Sequence, residues 1–284
     1  MTEYSRASDL QLARELADMA DAISMDRFRS VDLVVTVKPD MTPVSDADRA
    51  VETALRAAIA DSRAGDSVRG EEFGVDFGVA QGATGNSHRQ WIIDPIDGTK
   101  NYVRGVPIWA TLISLAIDGV PVVGVVSAPA LGTRWWGATG QGAFVDERLG
   151  TTQSGSDTVS RARRIHVSRV AELADASISL SGLTRWENAG KLPQFLALTR
   201  EVWRTRDYGD MWPYMMVAEG LLEVSGEYDL QVYDMAALVP IVQEAGGTFT
   251  SVDGEDGPWH GSALATNGLL HDRVIAALAG KIQL

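Results

Sequence analysis

Trp91-Ile92-Ile93-Asp94-Pro95-Ile96-Asp97-Gly98-Thr99-Lys100-Asn101 is the stretch around which the rest of the chain becomes readable. An aromatic and two β-branched residues run into a polar segment holding Pro and Gly, the pattern of a buried strand that breaks into a sharp turn and opens a new element. Asp94 and Asp97 lie three positions apart in that turn, so their carboxylates can converge on one point. Two like charges that close repel, and one must take up a proton unless a cation sits between them. A hard divalent ion with a demand for oxygen ligands, such as Mg²⁺, is the simplest such cation. Gly98 permits backbone conformations closed to other residues, and Thr99 sets a hydroxyl beside the acidic pair. If Gly98 and Thr99 open a helix, their N–H groups point outward as a phosphate cradle. A calcium loop of EF-hand type does not fit. Such a loop needs oxygen ligands at positions 1, 3 and 5 and Gly at 6, whereas here position 3 is Ile96 and Gly98 falls at position 5.

The chain has 284 residues, enough for one large domain or two medium ones, and its 45% hydrophobic and 22% charged content is ordinary for a soluble globular protein. A formal charge of −13 argues against nucleic acid or an anionic membrane as the main partner, since phosphate backbones need a basic patch. A small phosphorylated substrate is compatible with that charge, because a bound metal inverts the local sign. Absence of Cys removes disulfides, thiolate catalysis and Cys-ligated zinc together. Residues Met1 to Arg14 carry Glu3, Arg6, Asp9 and Arg14 without an apolar run, and no segment approaches the ~18 apolar residues of a membrane span. The expectation is a cytoplasmic protein.

Outward from the central stretch, residues 7–29 read as a long amphipathic helix through Leu12, Leu16, Ala20 and Ile23, and residues 33–37 as a β-branched run. A second helix is expected from Ser45 or Asp46 to Asp61, with Asp46 as a cap and Val51, Leu55 and Ile59 on one face. Residues 67–70 give a weak strand signal before Glu71-Glu72, and the Gly-rich run Val75 to Arg89 reads as a mobile loop able to fold over a metal centre. Residues 108–117 and 120–126 read as strands joined by an Asp118-Gly119 hairpin turn, with Trp135-Trp136 packed in the continuing meander. Gly150 to Asp157 is the most linker-like run. Beyond it, strands at 178–181 and 202–204 and helices at 191–201 and 211–220 alternate, the latter helix with Asp210 as its N-cap. Asp234 is read as the N-cap of a helix running to Gly246-Gly247, kinked by Pro240 about six positions in. His88, His166, His260 and His271 sit in none of these motifs and read as structural.

Asp94-Pro-Ile-Asp97-Gly98-Thr99, Gly70-Glu71-Glu72, and Asp234 ahead of Glu244-Ala-Gly-Gly247 together resemble the inositol monophosphatase family of Mg²⁺-dependent, Li⁺-sensitive phosphatases over nearly the whole chain. The resemblance implies a layered αβαβα sandwich: an α+β half, 1–150, carrying most metal ligands, and an α/β half, 151–284, carrying the last ligand and substrate contacts. It implies that Glu71, Asp94, Asp97, Asp234 and the Ile96 carbonyl hold two or three Mg²⁺ ions. Asp48, Thr99 and Glu72 would orient and activate a water for direct in-line attack on phosphorus, with no His or Cys placed to form a phosphoenzyme. Gly98, Thr99, Asn101, Asp210 and Glu227 would contact the substrate. Tyr233 stands where the family commonly has Trp, a mild departure.

Within the family the chain looks most like the actinobacterial histidinol-phosphatase type, on Lys100 to Pro107, Ser127 to Leu131 ahead of Trp135-Trp136, and Tyr208-Gly-Asp210. That type implies a substrate with an ammonium and an imidazole, matched by carboxylates in the pocket. Inositol-1-monophosphatase is the same-class alternative, and a catalytically silent metal-dependent binding protein the alternative of another class. A homodimer is implied by the resemblance alone.

Overall fold

Alternation along a single strand organises the core. In the computed structural model, which describes residues 4–39, 41–76, 88–147 and 162–281, the strand following the central stretch sends Leu112 to one layer and Ile113 and Leu115 to the opposite one. Both faces are covered, so nearly every position of that strand is apolar.

The elements in the first part of the chain are α1 (Arg6–Arg27), β1 (Val35–Val37), β2 (Pro43–Ser45), α2 (Asp46–Ser62), β3 (Ser67–Gly70), β4 (Gly74–Asp76), β5 (Arg89–Asp97), α3 (Thr99–Val103), β6 (Ala110–Ile117), β7 (Val120–Ala128), β8 (Thr133–Ala138) and β9 (Gly142–Glu147). Those that follow are β10 (Arg163–Arg164), β11 (Ser177–Leu180), α4 (Leu183–Asn188), α5 (Leu192–Glu201), β12 (Arg204–Thr205), α6 (Trp212–Ala218), β13 (Val224–Tyr228), α7 (Val232–Met235), α8 (Leu238–Glu244), β14 (Thr248–Thr250), β15 (Ser262–Thr266) and α9 (His271–Leu278). Among the described residues a large sheet has the order β10-β9-β8-β7-β6-β5-β3-β4 and a smaller one β12-β11-β13-β15-β14, with β1 and β2 as a separate ribbon.

Three apolar clusters define the layers. Leu12, Leu16 and Ala20 of α1 and Val51, Leu55 and Ile59 of α2 pack on Trp91, Ile93, Ile113 and Leu115 on the outer face of the large sheet. Between the sheets, Met215 and Val217 of α6 and Leu238 and Ile241 of α8 meet Leu112, Val126, Ala263 and Ala265. On the far side of the small sheet, Trp186, Leu198, Val274 and Leu278 cover Ile178, Val224 and Leu264. The result is an αβαβα sandwich, as the resemblance implied. Each fully buried Leu or Ile contributes about 1.5–3 kcal/mol against exposure, so all three clusters anchor the layers.

Local differences from the sequence reading have local causes. The first helix ends at Arg27, not 29: Phe28 turns extended and packs its ring on Tyr102 and Trp109, at 5.4 and 5.3 Å between centroids. The strand read at 202–204 is only the pair Arg204–Thr205, an edge with Trp203 exposed beside it. Within the loop read at 75–89, Val75 and Asp76 belong to β4 and Arg89 opens β5; residues 77–87, and the linker-like 150–157, lie outside the described residues. The turn at Asp118-Gly119 is as read, both residues having positive φ, 50° and 81°. No helix among the described residues is long and apolar enough to cross a membrane.

His271 anchors α9. Its Nε2 lies 3.2 Å from the Thr250 hydroxyl, which itself donates to the Ser251 carbonyl, and its Nδ1 lies 3.1 Å from the Thr266 hydroxyl. The neutral ring protonated on Nε2 satisfies both contacts, and burial holds the His271 pKa below the ordinary 6.5. The unfolded chain therefore binds the extra proton more readily. This contribution to stability is complete above pH ~6.5 and is lost as pH falls through the folded value. Urea unfolding at pH 7.5 and 5 should show a smaller acid-side loss for His271→Gln than for the parent chain; equal losses would refute this.

Candidate active site

In a regular strand, residues three apart face opposite ways. Asp94 and Asp97 nevertheless share a side, because β5 bulges between them. Asp94 pairs with Leu112 and Asp97 with Ala110, so four residues of β5 oppose three of β6. Pro95 tolerates the bulge since it has no N–H to place, and its carbonyl accepts from the Thr111 hydroxyl at 2.8 Å. Ile96 anchors the inner side of the bulge, buried with Ala47, Tyr102 and Trp109. Gly98, at φ 85°, is the N-cap of α3, so the helix expected to start here does. The Thr99 and Lys100 N–H groups have no partner within the helix, whereas the Asn101 N–H donates to the Gly98 carbonyl at 2.8 Å.

A second acidic group meets this one. Ser45 caps α2, and Asp48, not Asp46, completes the capping box by accepting from the Ser45 N–H at 2.8 Å and hydroxyl at 2.6 Å. Asp46 instead pairs with Arg27 at 2.7 Å. The other oxygen of Asp48 lies 3.3 Å from the Thr99 hydroxyl, which also reaches the Ile96 carbonyl at 3.0 Å. Oxygens of Asp48, Glu71 and Glu72 lie within 4.8 Å of one another, and so do those of Asp94, Asp97 and Asp234. Lys38 bridges Glu71 and Glu72 at 2.7 and 2.6 Å. Burial opposes its charge, but these two bonds outweigh it and raise the Lys38 pKa.

Asp234 lies at the third residue of α7, not at its N-cap. Gln231 is the cap, and the Asp234 carboxylate accepts from the Gln231 N–H at 2.7 Å. The expected helix to Gly246 is interrupted in its hydrogen bonds: α7 ends at Met235 and α8 starts at Leu238, with Ala236 and Ala237 still at helical φ and ψ between them, and Pro240 sits in the first turn of α8, where a missing N–H costs little.

A cleft of about 120 Å³ opens beside these carboxylates, lined by Asp97, Arg185, Asp210, Tyr214, Glu227 and Asp234 among others. Asp210 is not the cap of α6 either. It has a left-handed backbone, φ 50°, and Met211 takes the cap position, its N–H donating to Asp97 at 2.7 Å. Asn101 donates to Asp210 at 2.7 Å and to the Ile108 carbonyl at 2.9 Å, so its amide nitrogen braces Asp210 instead of facing the cleft. A β-carbon on Gly98 would stand 3.3 Å from the Asp210 carboxyl, which explains the absence of a side chain there. Glu227 forms an ion pair with Arg185.

The electrostatic consequence is uniform. Burial, then the neighbouring charges of Glu71, Asp97, Asp234 and Asp48, pushes Asp94 well above the usual carboxylate range, and burial with Asp210 and Asp234 does the same to Asp97. Burial pushes Asp234 up to about 7 and Glu227 to about 7, the latter despite Arg185, and Asp210 to about 6. Asp48, Glu71 and Glu72 are also raised by burial, against the bonds from Ser45 and Lys38. Such a set asks for positive charge.

Residues 6–283 match the inositol monophosphatase family. The chain belongs to that family. It is 55% identical over 274 residues to the histidinol-phosphatase of Streptomyces coelicolor, an alignment covering 95% of this chain and 96% of that one. The histidinol-phosphatase of Mycobacterium tuberculosis is 53% identical over 270 residues, covering 95% and 97%. Among solved structures, the extragenic suppressor protein suhB from Bartonella henselae superposes with a TM-score of 0.82 at 26% identity, covering 97% of this chain and all of that one.

Inositol monophosphatase family members are metal-dependent phosphatases, and the donor set fits: every candidate ligand is a hard oxygen, and the carboxylates converge from β5, α2, α7 and the turn after β3. Sequence reasoning missed three residues of this site. Lys38 lay in a segment read only as a break, and Arg185 has no local motif. Glu52 was passed over, although its place four residues after Asp48 puts it on the same buried helix face, a usable signal.

Proposed function

We propose that this chain hydrolyses L-histidinol phosphate to L-histidinol and phosphate, as a Mg²⁺-dependent, Li⁺-inhibited homodimer of the cytoplasm. The observation that carries the substrate assignment is the cleft beside the acidic cluster. Asp210 and Glu227 line it, Asp229 rims it, and Arg185 is the cation it holds. A leaving alcohol bearing an ammonium and an imidazole suits such walls better than an uncharged polyol does. The 53–55% identity to two histidinol-phosphatases supports the same reading.

Glu71, Asp94, Asp97, Asp234 and the Ile96 carbonyl would hold the Mg²⁺ ions, which when bound supply charge neutralisation and Lewis acidity at the phosphate. The chain's own groups do the rest. N–H groups at Gly98 and Thr99 receive phosphate oxygens. Thr99, held between Asp48 and the Ile96 carbonyl, orients the attacking water, and Asp48 takes its proton. Glu72 supports that water with Lys38 beside it, and Asn101 steadies Asp210 against the substrate. The two halves, 1–150 and 151–284, act as one phosphatase unit, since the ligands come from both.

The test is Mg²⁺-dependent phosphate release from L-histidinol phosphate beside myo-inositol 1-phosphate. Membership of the inositol monophosphatase family makes the second substrate the right competitor. A kcat/KM preference for histidinol phosphate is expected, and Glu227→Gln should lower it on the order of tenfold by removing about 1.4 kcal/mol of charge pairing, with little effect on inositol phosphate. Preference for inositol phosphate would overturn the substrate; no turnover of either would favour a binding protein.

A further inference from the structure

The main chain just after Asp234 lies flat on the large sheet at a place made for it. Gly124 of β7 and Gly137 of β8 are cross-strand partners. A β-carbon on Gly124 would fall 2.1 Å from the Ala237 carbonyl oxygen and 2.8 Å from the Pro240 ring, and one on Gly137 would fall 3.0 Å from the Ile241 Cα. The paired glycines form a trough that receives residues 237–241 backbone-first. On the neighbouring strand, the Ser114 side chain is fully buried on the same face. Its hydroxyl lies 3.1 Å from the Ala236 carbonyl and 2.9 Å from that of Val123.

Ala236 is four residues before Pro240. In a continuous helix its carbonyl would accept the N–H of residue 240, and proline has none. Ser114 is the donor that reaches this carbonyl, inside an apolar surround of Ile92 and Ala116. A buried carbonyl without a donor is costly, so the hydroxyl pins the Ala236 peptide, which with Ala237 keeps helical φ and ψ between α7 and α8. That peptide directly follows α7, and α7 carries Asp234 within reach of Asp94 and Asp97.

We propose that Ser114 is a positioning residue for the metal centre, acting through the Ala236 carbonyl that Pro240 leaves without a donor to hold Asp234 against Asp94 and Asp97. This rests on the reading that these three carboxylates hold a divalent ion. The test compares the full chain with Ser114→Ala, Pro240→Ala and the double variant, by calorimetric titration with Mn²⁺ in the absence of substrate and by the Mg²⁺ dependence of phosphate release. Ser114→Ala should weaken Mn²⁺ binding on the order of tenfold and raise the Mg²⁺ concentration for half-maximal rate similarly, with kcat at saturating Mg²⁺ within about twofold. Pro240→Ala supplies a backbone N–H to the same carbonyl, so the double variant should recover affinity to within about twofold of the parent. Ser114→Ala binding like the parent, or a double variant as weak as the single, overturns the proposal. If Ser114→Ala does not fold, a folded double variant with parental affinity supports it and an unfolded one overturns it. Asp94→Asn separates the underlying reading: parental Mn²⁺ affinity in that variant would remove the metal assignment itself.

Discussion

Asp94→Asn should lower kcat by on the order of 10³-fold while leaving the metal-free protein at least as stable as the parent. Asp94 is the carboxylate where the two acidic groups meet. It is 2% exposed, and the charges of Glu71, Asp97, Asp234 and Asp48 all bear on it. Its Oδ1 accepts from the Ile96 N–H at 3.0 Å, a bond that the asparagine carbonyl can keep, so the bulge need not reorganise. What the substitution removes is one negative charge from a buried cluster of like charges. Without metal that removal relieves repulsion, and Tm should stay level or rise. With metal it weakens the clamp on the phosphate; a loss of about 4 kcal/mol in transition-state stabilisation corresponds to the expected fall. Calorimetry in chelator and steady-state rates in saturating Mg²⁺ give the two halves of the result. A folded variant retaining a tenth of the parental kcat would sink the mechanism, and a large loss of Tm in chelator would show that Asp94 is structural instead.

The opposed outcomes also explain why this part of the site was legible in the sequence. A carboxylate that burial makes unfavourable has no structural reason to be there, and Asp94-Pro-Ile-Asp97-Gly98-Thr99 packs two of them into four residues. The helix after it, the hairpin at Asp118-Gly119 and the helices under Leu12 to Ile59 follow from period and turn chemistry, which are local. What sequence could not place was set by contacts between distant parts. Asp210 read as a cap because it precedes a helix, yet the Met211 N–H is taken by Asp97, 114 positions away, and the backbone at 210 turns left-handed. Asp234 read as a cap for the same reason, but Gln231 does that work and Asp234 reaches back to it. Pro240, counted from Asp234, fell mid-helix; counted from Leu238, where α8 begins, it falls in the first turn. The start of α6 is fixed by a tertiary hydrogen bond that leaves no mark in local composition, whereas the starts of α7 and α8 lie within a few residues of where the sequence put them.

Gly70→Ala shows the same lesson at the other acidic group, and should be strongly destabilising. The sequence offers Gly70 only as the start of Gly-Glu-Glu. The structure gives the reason for the glycine: a β-carbon there would stand 2.0 Å from Oε1 and 2.3 Å from Cδ of Glu52. Glu52 is fully buried and cannot swing aside cheaply. Its carboxylate accepts from the Glu72 N–H at 2.7 Å and the Phe73 N–H at 3.1 Å, and pairs with Arg56 at 2.7 Å. Overpacking costs ~1–3 kcal/mol and breaking a buried charge network ~3–5 kcal/mol, so a loss of about 3 kcal/mol is expected, or roughly 6–12 °C in Tm for a chain of this size. The damage also reaches the site, because the turn held by Glu52 carries Glu71 and Glu72; the Mg²⁺ requirement should rise along with the loss of Tm. Shortening the obstructing side chain makes room for the methyl, so Gly70→Ala with Glu52→Asp should regain part of the Tm that Gly70→Ala alone loses. A Gly70→Ala protein melting within 2 °C of the parent would mean that Glu52 yields freely, and that the turn bearing Glu71 is held by Lys38 instead.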